Sequence, residues 1–270
     1  MAVTRELLAY YEQDREHGRL REGRGRLEFW RTQDVLRRAL PSPPARVLDV
    51  GGGTGVHAEW LSADGYEVTL LDPVPLHVDR AAELAGVTAR LGDARHLPVP
   101  DASVDAVLLL GPLYHLAERA DRVRALAEAR RAVRPGGVVA AATINRYAAV
   151  HDTIYTNSYL HERERQAAHA AMADGIMMSP GRGFTAYFHD PDEVPAEFAD
   201  AGFPQVERYG LEGALWLYGD INDWLDDPER RALILDAQRS MESAPSLLGV
   251  SGHMLTITRR ASNTEITPME

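Results

Sequence analysis

The sequence contains no cysteine among its 270 residues, and this absence excludes several chemistries at once. Disulfide bonds, cysteine-ligated zinc and a thiol nucleophile are impossible, and the composition fits a reducing compartment. Long apolar segments are also missing, because no run approaches the ~20 residues that span a bilayer. Residues 1–17 carry too many charges for a signal peptide. We therefore expect a soluble, cytoplasmic protein with no membrane partner.

Positive charge is scarce as well. Aspartate and glutamate number 40 against 29 lysines and arginines, which gives a formal net charge of −11. Such a surface repels nucleic-acid phosphates, and no basic stripe with interleaved aromatic residues offsets it. His161 and Glu162 lack the second histidine of a zinc-protease helix, so no metal site is predicted. The charge balance favours a small-molecule partner and no nucleic acid. A monomer and a homodimer both stay open.

Short apolar runs alternate with helical periodicity through the middle of the chain, which predicts an α/β fold with a parallel sheet. The predicted strands are 46–50, 66–71, 87–91, 104–110 and 138–144, followed by 206–209 and 254–258. The predicted divisions are an N-terminal helical lid (1–40), a core (41–146), a mainly helical cap insert (147–188), the C-terminal part of the core (189–262) and a tail (263–270).

A glycine-rich turn follows the first predicted strand and precedes a helix. Glycine lets a ligand approach the backbone closely, and ligands of open α/β sheets bind at the carboxyl ends of the strands. Neither register fits the dinucleotide pattern G-x-G-x-x-G, because Val56 or Ala58 occupies the sixth position. No Lys-Ser/Thr pair follows, which excludes a P-loop. The pattern that fits is acidic-x-G-x-G-x-G, formed by Asp49, Gly51, Gly53 and Gly55.

Four further motifs follow in order, and with them residues 45–145 resemble the class I S-adenosylmethionine-dependent methyltransferases. These motifs are Leu70-Leu71-Asp72-Pro73, Gly92-Asp93-Ala94, the segment Leu110 to Leu116, and Val133-Arg134-Pro135-Gly136-Gly137. The segments 27–32 and 110–116 are similar to bacterial small-molecule or uncharacterised members. The resemblance implies a Rossmann-like seven-stranded sheet, S-adenosylmethionine as cofactor and S-adenosylhomocysteine as product.

The resemblance also implies roles for individual residues. Asp72 would hold the ribose hydroxyls, or alternatively cap the following helix. Asp93 would accept from the adenine amino group beside the backbone N–H of Ala94, or act as an ordinary turn residue. Asp49 would either orient the loop amides or contact the cofactor. The complete predicted cofactor set is Arg31, Asp49, Gly51, Gly52, Gly53, Gly55, Asp72, Pro73, Asp93, Ala94, Leu110, Gly111 and His115.

Arg31, His115 and two N-terminal tyrosines each have two alternative roles. Arg31 lies on a predicted N-terminal helix, where its guanidinium would bind the methionine carboxylate of the cofactor or would simply face solvent. Tyr10 and Tyr11 would pack over the cofactor or into the core. His115 would be a general base that faces the methyl acceptor, or a hydrogen-bonded scaffold residue.

The acceptor is expected beneath the cap insert, where aromatic residues and methionines suit a mostly apolar pocket. Substrate-binding candidates are Tyr114, Asn145, Arg146, Tyr155 and Tyr187, with His169, Met177, Met178 and Phe184 nearby in sequence. The predicted function is methyl transfer to an oxygen or nitrogen atom of a small metabolite. The alternatives are a cofactor-binding protein without transferase activity, methylation of a macromolecule, and a nucleotide-binding oxidoreductase, which the failed dinucleotide pattern disfavours.

Overall fold

A computed structural model describes residues 18–178 and 185–262 of the chain. The first predicted N-terminal helix with Tyr10 and Tyr11, the insert residue Phe184 and the tail 263–270 lie outside the described residues. Within the described ranges, none of the helices is long and apolar enough to cross a membrane.

The described strands form one mixed sheet, and the α/β fold is confirmed. Its strands are β1 Arg46–Val50, β2 Glu67–Asp72, β3 Val87–Leu91, β4 Val104–Leu109, β5 Val133–Asn145, β6 Ile176–Met178, β7 Thr185–His189, β8 Glu207–Gly210 and β9 His253–Arg259. The order β3-β2-β1-β4-β5 is parallel throughout, and β9 then pairs antiparallel with both β5 and β8. These seven strands are the predicted core sheet.

The described α-helices connect and cover these strands. They are α1 Gly25–Ala39, α2 Val56–Ala63, α3 Pro75–Ala81, α4 Arg119–Ala132, α5 Ala148–Tyr155, α6 Glu162–Asp174, α7 Val194–Asp200, α8 Ile221–Asp226, α9 Pro228–Met241 and α10 Pro245–Leu248. A short 3-10 helix, Pro112–His115, follows β4 and lies close to the first glycine turn.

The central strands are apolar on both sides because each side of the sheet has its own core. Along β4, Val107 and Leu109 belong to one core with α4 and α7, whereas Ala106 and Leu108 belong to the other with α1 and α2. All four are fully buried, which explains the continuous apolar run in the sequence.

Helix α1 packs into the second core. Its residues Val35 and Leu36 are at most 1% exposed and pack with α2 and the sheet. The role of residues 1–40 as a lid over the cofactor stays a prediction.

The insert contains helices, as the sequence predicts, and in addition two strands that the sequence does not predict. Helices α5 and α6 are followed by a hairpin, β6–β7, whose second strand pairs in parallel with the end of β5 through Ile144↔Phe188 and Asn145↔His189. The insert therefore extends the sheet and brings the described total to nine strands. Strands of three and five residues give little periodicity, so the sequence does not reveal them.

A buried ion pair joins α4 to α7 beneath the insert. The Arg122 guanidinium donates to Glu197 Oε1 at 2.7 Å, and the two side chains are 2% and 4% exposed. Arg122 also donates to the carbonyl oxygens of Leu116 and Ala117, and it stacks on the Tyr187 ring at 3.6 Å.

Removing Arg122 would leave the buried Glu197 carboxylate without its arginine, with His189 Nε2 at 3.3 Å as its remaining side-chain partner. We expect Arg122→Ala to lower the free energy of unfolding by about 3–5 kcal/mol, measured by denaturant titration. The matched control is Arg119→Ala on the same helix, because its ion pair with Asp200 is half exposed and should contribute less than about 1 kcal/mol. Equal losses in the two variants would contradict this assignment.

Candidate functional site

The glycine turn lies at the carboxyl end of β1, where the parallel strands open an edge to ligands. Gly51 donates its N–H to Leu71 O at 2.7 Å and has φ +68°, a left-handed conformation that favours glycine. At Gly53, also left-handed, an added Cβ would have no atom within 4 Å, so this part of the backbone borders open space. A Cβ at Gly52 would instead lie 2.6 Å from Asp49 Oδ2. The turn is therefore packed against Asp49 at Gly52 and borders open space at Gly53.

Through its carboxylate, Asp72 connects the glycine turn after β1 to the segment that follows β2. Its Oδ2 accepts from the N–H of Gly53 at 2.9 Å, while Oδ1 accepts from the N–H of Val74 at 2.9 Å. The His77 Nδ1 lies 3.0 Å from the same Oδ1. The N-cap of α3 is Val74, and Asp72, two residues earlier, accepts the N–H of Val74 instead of capping the helix itself. Ribose binding stays a prediction.

Asp49 is buried directly beneath the turn. Its side chain is 1% exposed, and neither carboxylate oxygen has a hydrogen-bond partner among the described residues. Burial, with a further contribution from Asp72, raises the pKa of Asp49 to about 7. An unpartnered buried carboxyl group of this kind is stabilised by any cation that approaches the turn.

Asp93 stands in the turn after β3, next to the same edge. Its Oδ1 accepts from the N–H and Nε of Arg95 at 2.9 and 3.0 Å, and Oδ2 accepts from a second guanidinium nitrogen at 2.6 Å. Burial opposes ionisation, but these bonds hold the pKa of Asp93 below its usual range. Asp93 thus orders its own turn, and contact with adenine stays a prediction.

The segment after β4 packs against the glycine turn. A Cβ added to Gly111 would lie 3.1 Å from Gly51 O, and a Cβ added to Gly51 would lie 2.9 Å from Pro112. His115 contacts the Tyr114 ring edge-on at 4.7 Å. Burial lowers the pKa of His115 to about 4, against the opposing effect of Asp72. Such a weak base favours the scaffold role for His115.

The structure corrects the expectation for Arg31. Its guanidinium is fully buried and donates to Leu211 O at 3.2 Å, to Asp34 at 2.5 Å and to Glu242. All three guanidinium nitrogens of Arg31 are thus bonded to groups of the fold itself.

Two of the predicted acceptor residues, Asn145 and Tyr155, are engaged in contacts within the fold. Asn145 is fully buried, donates to Leu248 O at 2.8 Å and accepts from the N–H of Tyr147, so its amide is committed to the fold. This corrects its assignment as a substrate ligand. Tyr155 lies under the Arg24 guanidinium at 4.1 Å, in a contact between α5 and the chain before α1.

Arg146 and Tyr187 do come together, at the junction of β5 and β7. An Arg146 Nη lies 3.2 Å from the Tyr187 hydroxyl, and both groups bond to Glu193, at 2.8 and 3.0 Å. Met177 packs in the small core of α5 and α6, and His169 Nε2 lies 2.9 Å from the Tyr159 hydroxyl. A role for Arg146, Tyr187 or Tyr114 toward an acceptor stays a prediction.

A second polar cluster, which we call the His253 cluster, was not predicted from the sequence. It contains Glu28, Glu212 and His253, whose candidate ligand atoms lie within 4.8 Å of one another. His253 Nδ1 is 2.7 Å from Glu212 Oε1 and 3.5 Å from Glu28 Oε2. The available signal was a histidine at the start of the last strand, where an antiparallel strand returns from the carboxyl edge.

The comparisons with known proteins agree with this geometry. Residues 48–141 match the family model described as a methyltransferase domain. An uncharacterised methyltransferase of Mycobacterium bovis is 44% identical over 100 residues, which cover 36% of this chain and 39% of the relative. A ubiquinone/menaquinone biosynthesis C-methyltransferase of Acidiphilium cryptum is 29% identical over 65% of this chain and 72% of that protein. The match thus spans about two fifths of the mycobacterial relative.

Solved structures share the fold across almost the whole chain. A chain in the complex between the Trm112 methyltransferase activator of Haloferax volcanii and a candidate methyltransferase has a TM-score of 0.59 and 21% identity. The similarity covers 97% of this chain and 99% of that one. At this identity the similarity concerns the fold alone.

The raised pKa of Asp49 predicts a pH-dependent stability. Because the folded protein holds the Asp49 proton up to about pH 7 and the unfolded chain releases it near pH 4, parental stability should fall between these values. Asp49→Asn removes this loss. The variant should therefore gain up to ~1.4 kcal/mol on the parent for each pH unit in that window, measured by denaturant titration. Parallel pH profiles for parent and variant would refute it. The exposed Asp79→Asn serves as the control.

Proposed function

Because this chain belongs to the class I S-adenosylmethionine-dependent methyltransferases, we propose that it transfers a methyl group to an oxygen or nitrogen atom of a small molecule. The observation that carries the proposal is the glycine turn at the carboxyl edge, with Asp49 beneath it and Asp72 beside it. When bound, S-adenosylmethionine supplies a methyl group that its sulfonium makes electrophilic.

The residues at the edge suit this cofactor in charge and in shape. The open backbone at Gly53 accepts a ligand at close range, and the unpartnered carboxyl group of Asp49 favours a cationic one. Asp72 would share its oxygens with the ribose hydroxyls, and the turn at Asp93 and Ala94 would receive the adenine. Arg31 has no place in this set.

A small acceptor is favoured over a macromolecule by charge and by the position of the insert. The net charge of −11 disfavours nucleic acid. The hairpin β6–β7 continues the sheet beyond the end of β5, beside the edge where acceptors enter. The quinone-pathway name of the Acidiphilium relative supports an organic acceptor as well. Binding of the cofactor without transfer is the alternative.

Cofactor binding is tested at Asp72 by calorimetric titration with S-adenosylhomocysteine. We expect Asp72→Asn to weaken binding by ~1.5–3 kcal/mol, roughly 10- to 150-fold, because bonds to a charged acceptor are the stronger kind. Asparagine retains an oxygen that can accept from Gly53, so the variant is expected to fold. The control Asp200→Asn lies on α7 at the surface and should bind like the parent. Unchanged affinity in folded Asp72→Asn would refute the ribose assignment.

The acceptor class is tested with isotopically labelled S-adenosylmethionine. The purified protein should label a member of a panel of phenols, carboxylic acids and amines, and the Asp72→Asn variant should do so much more slowly. Parallel reactions contain tRNA, DNA and folded proteins as acceptors. Label that appears only in a macromolecule would overturn the small-molecule proposal, and tight S-adenosylhomocysteine binding with no labelled product would favour the alternative.

A further inference from the structure

We propose that His253, held in place by Glu212, takes the proton from a hydroxyl acceptor during methyl transfer. This assignment rests on the proposed function and adds a catalytic residue to it. The sequence motifs of the glycine turn and of the segment after β4 do not include either residue.

Glu212 orients the imidazole of His253 through two contacts. Its Oε1 is 2.7 Å from His253 Nδ1, and its Oε2 accepts the backbone N–H of the same histidine at 2.8 Å. The hydroxyl of Ser251 donates to Oε2 at 2.9 Å. Glu212 is 4% exposed, so its carboxylate is fixed by these bonds rather than by solvent. A buried carboxylate on Nδ1 fixes the tautomer and leaves Nε2 to exchange protons.

The second ring nitrogen of His253 is available for this exchange. Nε2 makes no hydrogen bond within 18–178 and 185–262, and it is not among the polar atoms that are buried without a partner. The His253 side chain keeps 18% of its surface exposed. The ring is therefore anchored at one nitrogen and accessible at the other.

The position of His253 in the sheet places it at the edge where the cofactor and acceptor meet. It is the first residue of β9 and lies opposite Ile144, near the carboxyl end of β5. Glu28, 3.5 Å from His253 Nδ1, precedes Phe29, whose ring centroid is 5.6 Å from that of His57. Because His57 is the second residue of α2, this row of side chains connects β9 to the helix that follows the glycine turn.

The charges of the His253 cluster favour a proton over a metal ion. Arg19 donates to both oxygens of Glu28, at 2.6 and 3.1 Å. With Glu28 and Glu212 ionised and Arg19 positive, one proton on His253 makes the cluster neutral. A divalent cation at Glu28 would lie beside the guanidinium and repel it. The geometry therefore supports a site that holds and releases one proton.

His253 differs in basicity from the other histidines near this edge. Burial alone would lower its pKa, but Glu28 and then Glu212 raise it above the usual value, with Arg19 opposing them. Burial instead lowers the pKa of both His57 and His115 to about 4. A general base works best when its pKa lies near the operating pH, which favours His253 over the other two.

The proposed step is balanced in atoms and electrons. The acceptor oxygen gives its proton to His253 Nε2 and forms a bond to the methyl carbon. The carbon–sulfur bond breaks, and its electron pair stays on sulfur as the neutral thioether. The imidazolium then releases the proton to solvent. Transfer should therefore accelerate as the pH rises through the pKa of His253.

The deciding experiment measures the pKa of His253 by NMR in the full chain, alone and with S-adenosylhomocysteine or S-adenosylmethionine. The signal is assigned with His253→Gln. We expect a pKa above 6.5 in the free protein and a fall of about one pH unit or more in Glu212→Gln. We also expect a pKa lower by roughly half a pH unit or more with S-adenosylmethionine than with S-adenosylhomocysteine, because a nearby sulfonium disfavours the imidazolium. His169, bonded to Tyr159 on the insert, is the internal reference.

The outcomes separate this inference from the proposed function. If S-adenosylhomocysteine binds but His253 titrates identically in both complexes, His253 is remote from the reacting methyl group, and the inference is wrong while cofactor binding stands. If neither compound binds, the proposed function fails and the inference fails with it. With a hydroxyl acceptor from the labelling panel, His253→Gln should lower kcat by about 10²- to 10⁴-fold, with S-adenosylhomocysteine affinity unchanged. Unimpaired turnover would also overturn the inference.

Discussion

The carboxylate of Asp72 connects the elements that meet at the carboxyl edge of the sheet. It ends β2, receives the N–H of Gly53 from the turn after β1, and receives the N–H of Val74 at the start of α3. The glycine turn has little side-chain packing above it, so its shape depends on this bond and on the bond from Gly51 to Leu71. The ligand site is thus built from backbone groups that a single acid holds in register.

Asp49 and Asp72 show how two carboxyl groups at one edge acquire different properties. Asp72 is supplied with donors, whereas Asp49 is equally buried and has none within the described residues. An isolated carboxylate is costly in a low-dielectric interior, and the pKa of Asp49 rises as a result. A cation bound at the turn would stabilise the ionised form of Asp49. The free-energy cost of ionising Asp49 in the free protein therefore favours a positively charged ligand.

The order of the core was predictable because each signal was local. The predicted strands 87–91 and 104–110 differ by at most one residue from β3 and β4, since apolar runs and glycines define them without distant contacts. Asp72 was recognisable for the same reason. Arg31 was not, because its partner Glu242 is separated from it by more than 200 residues and no local pattern reports that contact.

The hairpin of the insert and the His253 cluster were not predicted, for a related reason. The hairpin β6–β7 pairs with β5 through its second strand, and strands of three and five residues have little periodicity to detect. In the His253 cluster, Glu28, Glu212 and His253 come from three separate parts of the chain. A histidine acquires a chemical role only through the charges around it, and these are set by the tertiary fold.

The histidines near the edge illustrate this dependence on surroundings. His57 and His115 are buried without a dominating anion and are held neutral, so they contribute shape and hydrogen bonding. His253 lies between two carboxylates and is drawn toward the charged form. An edge that receives a cationic cofactor and releases a proton needs acids at one end and a tunable base at the other. The arrangement of Asp49 and Asp72 near β1 and of His253 on β9 supplies both.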